Sequence, residues 1–471
     1  MKLQLSNYLR DSKKEMKSII EKLKEKYEYA SILGTDVKGR SYRATVTGLN
    51  LGPSPDEERG FVIRIFDKGI FQEFSFNKLN EAEVLKTIDE ELVKNREKYI
   101  VEKMTYKSKP LDEPIKESFF SEVKNLPEND NPEAILKDMD SIVKKYIKDY
   151  DKIINIILNL FVTEVNKVFI SFNRDLEQSY AYTTAYAVAV AKDEKSVKTE
   201  FSAISGLAGS EIIESLDNKC KVSCEKAIEL LGAEKIIPGD YDIICDPDFT
   251  GLIAHEAFGH GAEMDMFVKD RAKGKEYMGK RVGSDILNMR DGAKSYTEVS
   301  SYLFDDEGNL GSDTHIIVNG FLENGMADEI SSLNLGVKPT GNGKRESYKR
   351  KAYTRMTNTF FDEGDSSLEE MMADMDYGFL IEGFTSGMED PKNWGIQCVA
   401  SKAREIKDGK LTGKIFSPVY LTGYVPDLLT SISKISKGLK LSGSGYCGKG
   451  WKEWVKTSTG GSYIKAKGRL S

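Results

Sequence analysis

Histidine is almost missing from this chain, with 3 in 471 residues. Cysteine is scarce as well: there are 5, an odd number without a CxxC pair, which argues against a disulfide framework. No excess of one charge is present either. The 68 basic and 75 acidic side chains are interspersed and leave a net charge of −7, so nothing points to nucleic-acid binding through a basic face. No apolar run is long enough for a membrane span. The most apolar stretch, Ile153 to Val162, is about half the required length and contains Asn155 and Asn159. The opening residues, Met1-Lys2-Leu3-Gln4-Leu5-Ser6-Asn7, lack the apolar core of a signal peptide. A cytoplasmic protein, bound to neither membrane nor nucleic acid, is expected. A phosphate-binding loop is also absent: Gly341-Asn342-Gly343-Lys344 has no strand before it and no helix after it, and no GxxxxGK[ST] pattern occurs.

What remains describes a globular chain. Hydrophobic residues make up 39% and charged residues 30%. The length suits two domains, and the turn at Pro238-Gly239-Asp240 places their boundary near residue 233, giving 1–232 and 233–471. Helical periodicity is predicted over Asn7 to Ala30, Asn80 to Lys98, Asn131 to Ile147 and Gly209 to Leu231. Between Tyr29 and Phe76, β-prone runs alternate with glycine turns and predict hairpins; a further set of strands is expected over Lys167 to Ser202. The second half is richer in short strands and glycine turns, with another helix near Ser367 to Tyr377. The class is α+β.

Two of the few histidines fall in one hexapeptide, His255-Glu256-Ala257-Phe258-Gly259-His260, behind the apolar run Gly251-Leu252-Ile253-Ala254. Two imidazoles flanking a carboxylate supply the ligands and the general base of a hydrolytic zinc site. Their spacing is unusual. Residues four apart on an α-helix are separated by about 40°, but residues five apart by roughly 140°, which does not converge on one ion. The spacing therefore predicts either a π-turn, whose i→i+5 hydrogen bonds restore a common face, or a break at Gly259. Glu263 and Asp265, just beyond, are placed to orient the imidazoles; two surface carboxylates past a helix end are the plain alternative.

Catalytic zinc usually keeps three protein ligands. His315, in Asp313-Thr314-His315-Ile316-Ile317-Val318, reads as a partly buried strand residue instead. Cys447 lies in Ser442-Gly443-Ser444-Gly445-Tyr446-Cys447-Gly448-Lys449-Gly450, where glycines permit close approach and Lys449 is placed to lower a thiol pKa. A thiolate ligand and a small residue packed in a glycine turn are both open on this ground. Cys220 and Cys224, four apart, read as buried helix residues, and Cys245 and Cys398 as strand residues.

These segments resemble a known family. His255-Glu256-Ala257-Phe258-Gly259-His260-Gly261-Ala262-Glu263-Met264-Asp265 is similar to the HExxxH segment of the TldD/PmbA metallopeptidases. Pro339-Thr340-Gly341-Asn342-Gly343-Lys344-Arg345-Glu346-Ser347, Arg355-Met356-Thr357-Asn358-Thr359 and Gly445-Tyr446-Cys447-Gly448-Lys449 resemble the TldD branch of that family. The resemblance implies that His255, His260 and Cys447 bind the metal and that Glu256 is the catalytic carboxylate. It implies Zn2+, with iron or cobalt also compatible with such ligands. It further implies an N-terminal α/β domain with hairpins and long helices, and a C-terminal, strongly curved, barrel-like β domain carrying the metal helix. Members form homodimers, or heterodimers with a metal-less relative, and cut small or unfolded peptides. Asn342, Lys344 and Arg345, in the polar loop, are candidate peptide-binding residues. One departure bears on substrate preference: where the family carries a proline-containing segment after the cysteine loop, this chain has Lys452-Glu453-Trp454-Val455-Lys456-Thr457-Ser458-Thr459-Gly460-Gly461-Ser462. Two other functions fit the same residues: a peptide-binding partner subunit with a structural metal, and a hydrolase using Cys447 as nucleophile.

Overall fold

Apolar residues at helical spacing after Ser6 form α1, Asn7–Lys24, in the computed structural model, which describes residues 1–99, 106–450 and 452–471. The Ser6 hydroxyl caps the helix by accepting the Leu9 amide, and Leu9, Met16, Ile19, Ile20 and Leu23 form its buried stripe. The helix ends earlier than the predicted Ala30. Tyr29-Ala30-Ser31-Ile32-Leu33 is buried at every position and opens the first strand instead. Central strands covered on both faces read as continuous apolar runs and lose the alternation that betrays a strand.

That strand, β1 (Tyr29–Thr45), belongs to an eight-stranded sheet with β2 (Gly48–Pro53), β3 (Glu58–Asp67), β4 (Ile70–Phe76), β5 (Ile115–Phe120), β6 (Ile153–Ser171), β7 (Arg174–Lys192) and β8 (Val197–Gly206). The order is β4-β3-β1-β6-β7-β5, with β2 on β1 and β8 on β7, and only the β5–β7 pair is parallel. The apolar stretch at Ile153 to Val162 is the start of β6.

Period-two alternation divides the faces of this sheet. Ala30, Ile32, Ile170, Leu158, Ala185 and Ala187 turn to one side, where α1, α2 (Glu81–Tyr99), α3 (Pro132–Asp149) and α4 (Leu216–Glu229) cover them. Val37, Val165, Phe169, Tyr180 and Tyr182 turn to the other side and meet Ala293, Val299, Tyr302 and Phe304 of the C-terminal half. Buried charge ties the two halves as well: Arg64 of β3 lies 2.9 Å from both Glu73 and Glu307, and Arg345 lies 2.6 Å from Glu73.

The second half contains a closed barrel. Strand β9 (Gly239–Cys245) pairs with Tyr377–Asp390 on one side and Ile464–Leu470 on the other. Val419–Tyr424 and Gly395–Lys407 complete the ring, because Gly395–Lys407 also pairs with Tyr377–Asp390. Helix α5, Pro247–Ala254, shares its core: Phe249, Leu252 and Ile253 lie in one apolar cluster with Ile243, Ile381, Cys398 and Ala400. Gly251 lets α5 lie directly on the strand Ser458–Gly461, since a Cβ there would fall 2.6 Å from the Gly460 Cα. Among the described residues no helix is long and apolar enough to cross a membrane.

Candidate metal centre

Asp246 starts α5 by accepting the Phe249 amide at 2.8 Å, with Pro247 in the first turn where its missing N–H costs nothing. The helix does not continue as α. His255–Gly259 is a π-turn in which the His260 amide donates to the His255 carbonyl, followed by a 3-10 turn at His260–Ala262. The distortion predicted from the spacing is thus the π-turn. It brings the two imidazoles to 5.1 Å between centroids, with ring planes at 88°. Gly259 contributes differently from expectation. Its φ of −57° is open to any residue. Glycine is needed there for space, because an added Cβ would collide with the Met356 sulfur.

Cys447 comes from a hairpin formed by Tyr446–Lys449 and Lys452–Lys456. Its Sγ lies 3.4 Å from His260 Nε2. One ligand atom from each of His255, His260 and Cys447 falls within 4.8 Å of the others. The thiol carried by the glycine turn thus lies against the two imidazoles.

A buried cation fixes the hairpin to the histidine turn. Arg355, 0% exposed, donates to the carbonyl of Glu453 and, at 2.7 Å, to that of Cys447. Its Nε lies 3.5 Å from Glu263 Oε1. The other Glu263 oxygen is 3.1 Å from His260 Nδ1, so one guanidinium joins the partner of His260 to the backbone of Cys447. Lys449 adds a second clamp, reaching Glu263 at 3.2 Å and Asp265 at 2.7 Å. Of the two acids proposed to orient imidazoles, Glu263 touches His260, while Asp265 pairs with Lys449 and Lys269.

The donor set fits a thiophilic divalent metal. Burial opposes charge on His260, but the Cys447 sulfur and the Glu263 carboxylate outweigh it and hold the imidazole well above its usual range. Burial likewise raises the Cys447 thiol, yet the His260 and His255 imidazoles win and hold it well below the ordinary thiol value. Glu263 on Nδ1 directs Nε2 toward the sulfur, the arrangement in which a carboxylate sets the tautomer of a metal-binding histidine. His255 Nδ1 is buried without any hydrogen-bond partner, an orphan that a metal bond or a bound water would satisfy.

Glu256 sits beside this cluster and packs against the barrel strand Tyr377–Asp390. A Cβ on Gly387 would meet the Glu256 Cγ at 2.5 Å. The same strand delivers Glu389, which sequence reasoning missed. Burial, reinforced by Glu256 and Glu263 against the opposing effect of His260, pushes its pKa up to about 8. Nothing in Gly387-Met388-Glu389-Asp390 distinguishes it from an ordinary strand carboxylate. The loop residues have partners within the protein. Asn342 is 0% exposed and donates to Asp291 at 2.7 Å and to the Arg355 carbonyl at 2.9 Å. Lys344 donates to the carbonyls of Met356 and Lys456 and to Ser300 Oγ, and Arg345 donates to Glu73 and the Arg350 carbonyl.

His315 lies on the strand Thr314–Val318, as expected, but is exposed where partial burial was predicted, with Asp313 3.8 Å away. Cys220 and Cys224 are buried on α4, and Cys245 and Cys398 are buried strand residues.

Comparison with known proteins places this geometry. Residues 238–466 match the family described as PmbA/TldA metallopeptidase C-terminal domain. A metalloprotease of Methanocaldococcus jannaschii is 31% identical over 286 residues, covering 61% of this chain and 62% of that protein. Residues 238–466 belong to the TldD/PmbA metallopeptidase family. A zinc metalloprotease TldD homolog of Saccharolobus solfataricus is 32% identical over 230 residues, 49% of this chain and 51% of that one. The aligned parts thus span about half to three fifths of these TldD/PmbA relatives. In fold the agreement extends further. TldE from Thermococcus kodakarensis superposes with a TM-score of 0.73 at 16% identity, covering 97% of this chain and 99% of its own. A Thermotoga maritima structure gives 0.74 at 17% identity, over 97% of this chain and all of that one.

Proposed function

We propose that this chain is a zinc-dependent peptidase that cleaves small or unfolded peptides, with Glu256 as its proton-transferring carboxylate. The observation that carries the reading is the convergence of His255, His260 and Cys447 beside Glu256. The three would hold the ion, whose chemistry when bound is that of a Lewis acid that activates water and polarises a carbonyl. Glu256 takes the proton of the attacking water and delivers it to the leaving amine. Glu263 holds His260 in the required tautomer, and Arg355 keeps the Cys447 backbone in place.

Substrate reaches these groups along a sheet edge. Strand Tyr377–Asp390 pairs with β9 only from Gly378 to Ile381, and no described strand pairs with that edge beyond it, where Gly387 and Glu389 lie. An extended peptide adding there is read through its main chain, which suits broad specificity. The working form is a homodimer or a pair with a metal-less relative.

A second reading has one observation in its favour: Cys447 Sγ at 3.4 Å from His260 Nε2 is also the contact of a cysteine nucleophile with its base. Metal analysis followed by a chelator test on a peptide library separates the two. The metallopeptidase contains about one zinc per chain, loses cleavage with chelator and regains it with zinc. Cleavage that is indifferent to chelator but stopped by thiol alkylation overturns the proposal in favour of the cysteine hydrolase. Stoichiometric metal with no turnover marks a partner subunit.

Glu256 depends on the glycine beneath it. A Gly387→Ala methyl would displace its carboxylate, and a misplacement of about 1 Å costs about 100-fold. Peptide cleavage by that variant should fall in kcat by roughly this factor with KM and zinc content little changed.

A further inference from the structure

The hairpin that carries Cys447 has a second face. Its pairing sets Cys447 opposite Val455 and Tyr446 opposite Lys456. Neighbours along a strand point to opposite sides, so the thiol faces the histidines while Tyr446 and Lys456 face the N-terminal sheet. Between them and that sheet lies a cavity of about 100 Å3 whose wall includes Asp56, Glu58, Lys167, Tyr182, Tyr446 and Lys456.

Most of its charges already have partners. Asp56 accepts the hydroxyls of Tyr182 and Tyr446. Lys167 is paired with Asp306. Lys456 is the exception. Its ammonium lies 4.4 Å from the Tyr446 ring centroid and 5.9 Å from that of Tyr182, and has neither a hydrogen-bond acceptor nor an ion pair among the described residues. The side chain keeps some solvent contact, and desolvation, opposed by the Asp56 and Glu298 carboxylates, pushes its pKa down to about 8. Aromatic faces attract an ammonium but offer no oxygen to its N–H groups. An arriving carboxylate would supply the missing charge-assisted hydrogen bonds. The cavity also contains Glu58, which accepts the Tyr348 amide at 2.9 Å and offers a carboxyl for an amino group. Its volume leaves room for several waters or for a small organic ion.

We infer that this cavity binds a carboxylate ligand of amino-acid size, with the carboxylate on Lys456. The ligand is either a free amino acid or the C-terminal residue of a short peptide. Titration of the full chain with L-alanine and with trialanine, by calorimetry with and without chelator, tests it. Saturable binding of either probe is expected, unchanged by chelator, weakened tenfold or more in Lys456→Gln and kept within a few-fold in Lys456→Arg. Alanine binding alone identifies a free amino acid; trialanine binding identifies a peptide terminus. The inference is overturned by the absence of saturable binding of both probes to the wild type, by binding that chelator removes, or by equal affinity in Lys456→Gln. The wild-type titration decides the matter even where a variant fails to fold.

Discussion

Glu256→Gln is expected to lower peptide cleavage by about 10²–10⁴-fold, the usual contribution of a positioned acid–base group, while zinc content stays at one per chain. Glutamine keeps the size of the side chain, so the packing over Gly387 survives. What disappears is the ability to accept a proton. The residue is not one of the three clustered donors, so its neutral replacement leaves the ion held. Steady-state kinetics on an unfolded peptide, with metal analysis of the same preparation, checks both halves. Full activity in this variant would move the proton-transfer role elsewhere, and Glu389, the other carboxylate the barrel strand brings in, would be the next to replace.

Arg355→Met should be the most damaging substitution near the site. It removes the donor from two buried carbonyls and leaves Glu263 without one of its cations. Removing one member of a buried charge pair typically costs about 3–5 kcal/mol, and losing a group that orients a metal ligand typically costs 10–100-fold in metal affinity. Denaturant unfolding should show the first loss and competition with a zinc-binding dye the second. Arg355→Lys is expected to restore only part of either, because a single ammonium does not reproduce the fork that spans Cys447, Glu453 and Glu263. A fully stable Arg355→Met variant with unchanged zinc affinity would show that the hairpin holds its place without this clamp.

The histidine pair was legible because the signal is local. Two imidazoles five residues apart pose a geometric problem with few solutions, and the π-turn is one of them. Cys447 was half legible: its glycine loop announced close approach, but its partner lies 187 residues away, and only resemblance connected them. Arg355 gave no such signal, since its role arises from contacts with Glu263, Cys447 and Glu453, which are remote in sequence. The same holds for the loop at Asn342, Lys344 and Arg345. Its polarity was evident, whereas the groups it meets, Asp291, the Lys456 carbonyl and Glu73, come from three other regions. In the fold, α1, α3 and the first hairpins followed from periodicity. The opening of β6 did not, because isoleucines also occupy its outward positions, Ile154 (51% exposed) among them, so the apolar residues do not alternate with polar ones.

The barrel ring is completed by Ile464–Leu470, the strand that links β9 to Val419–Tyr424. A ribosome that has already made both imidazoles must therefore still add the thiol and then this final stave before the centre can assemble. Under the proposed activity, a half-made copy has no cutting edge to turn on itself or on neighbouring nascent chains.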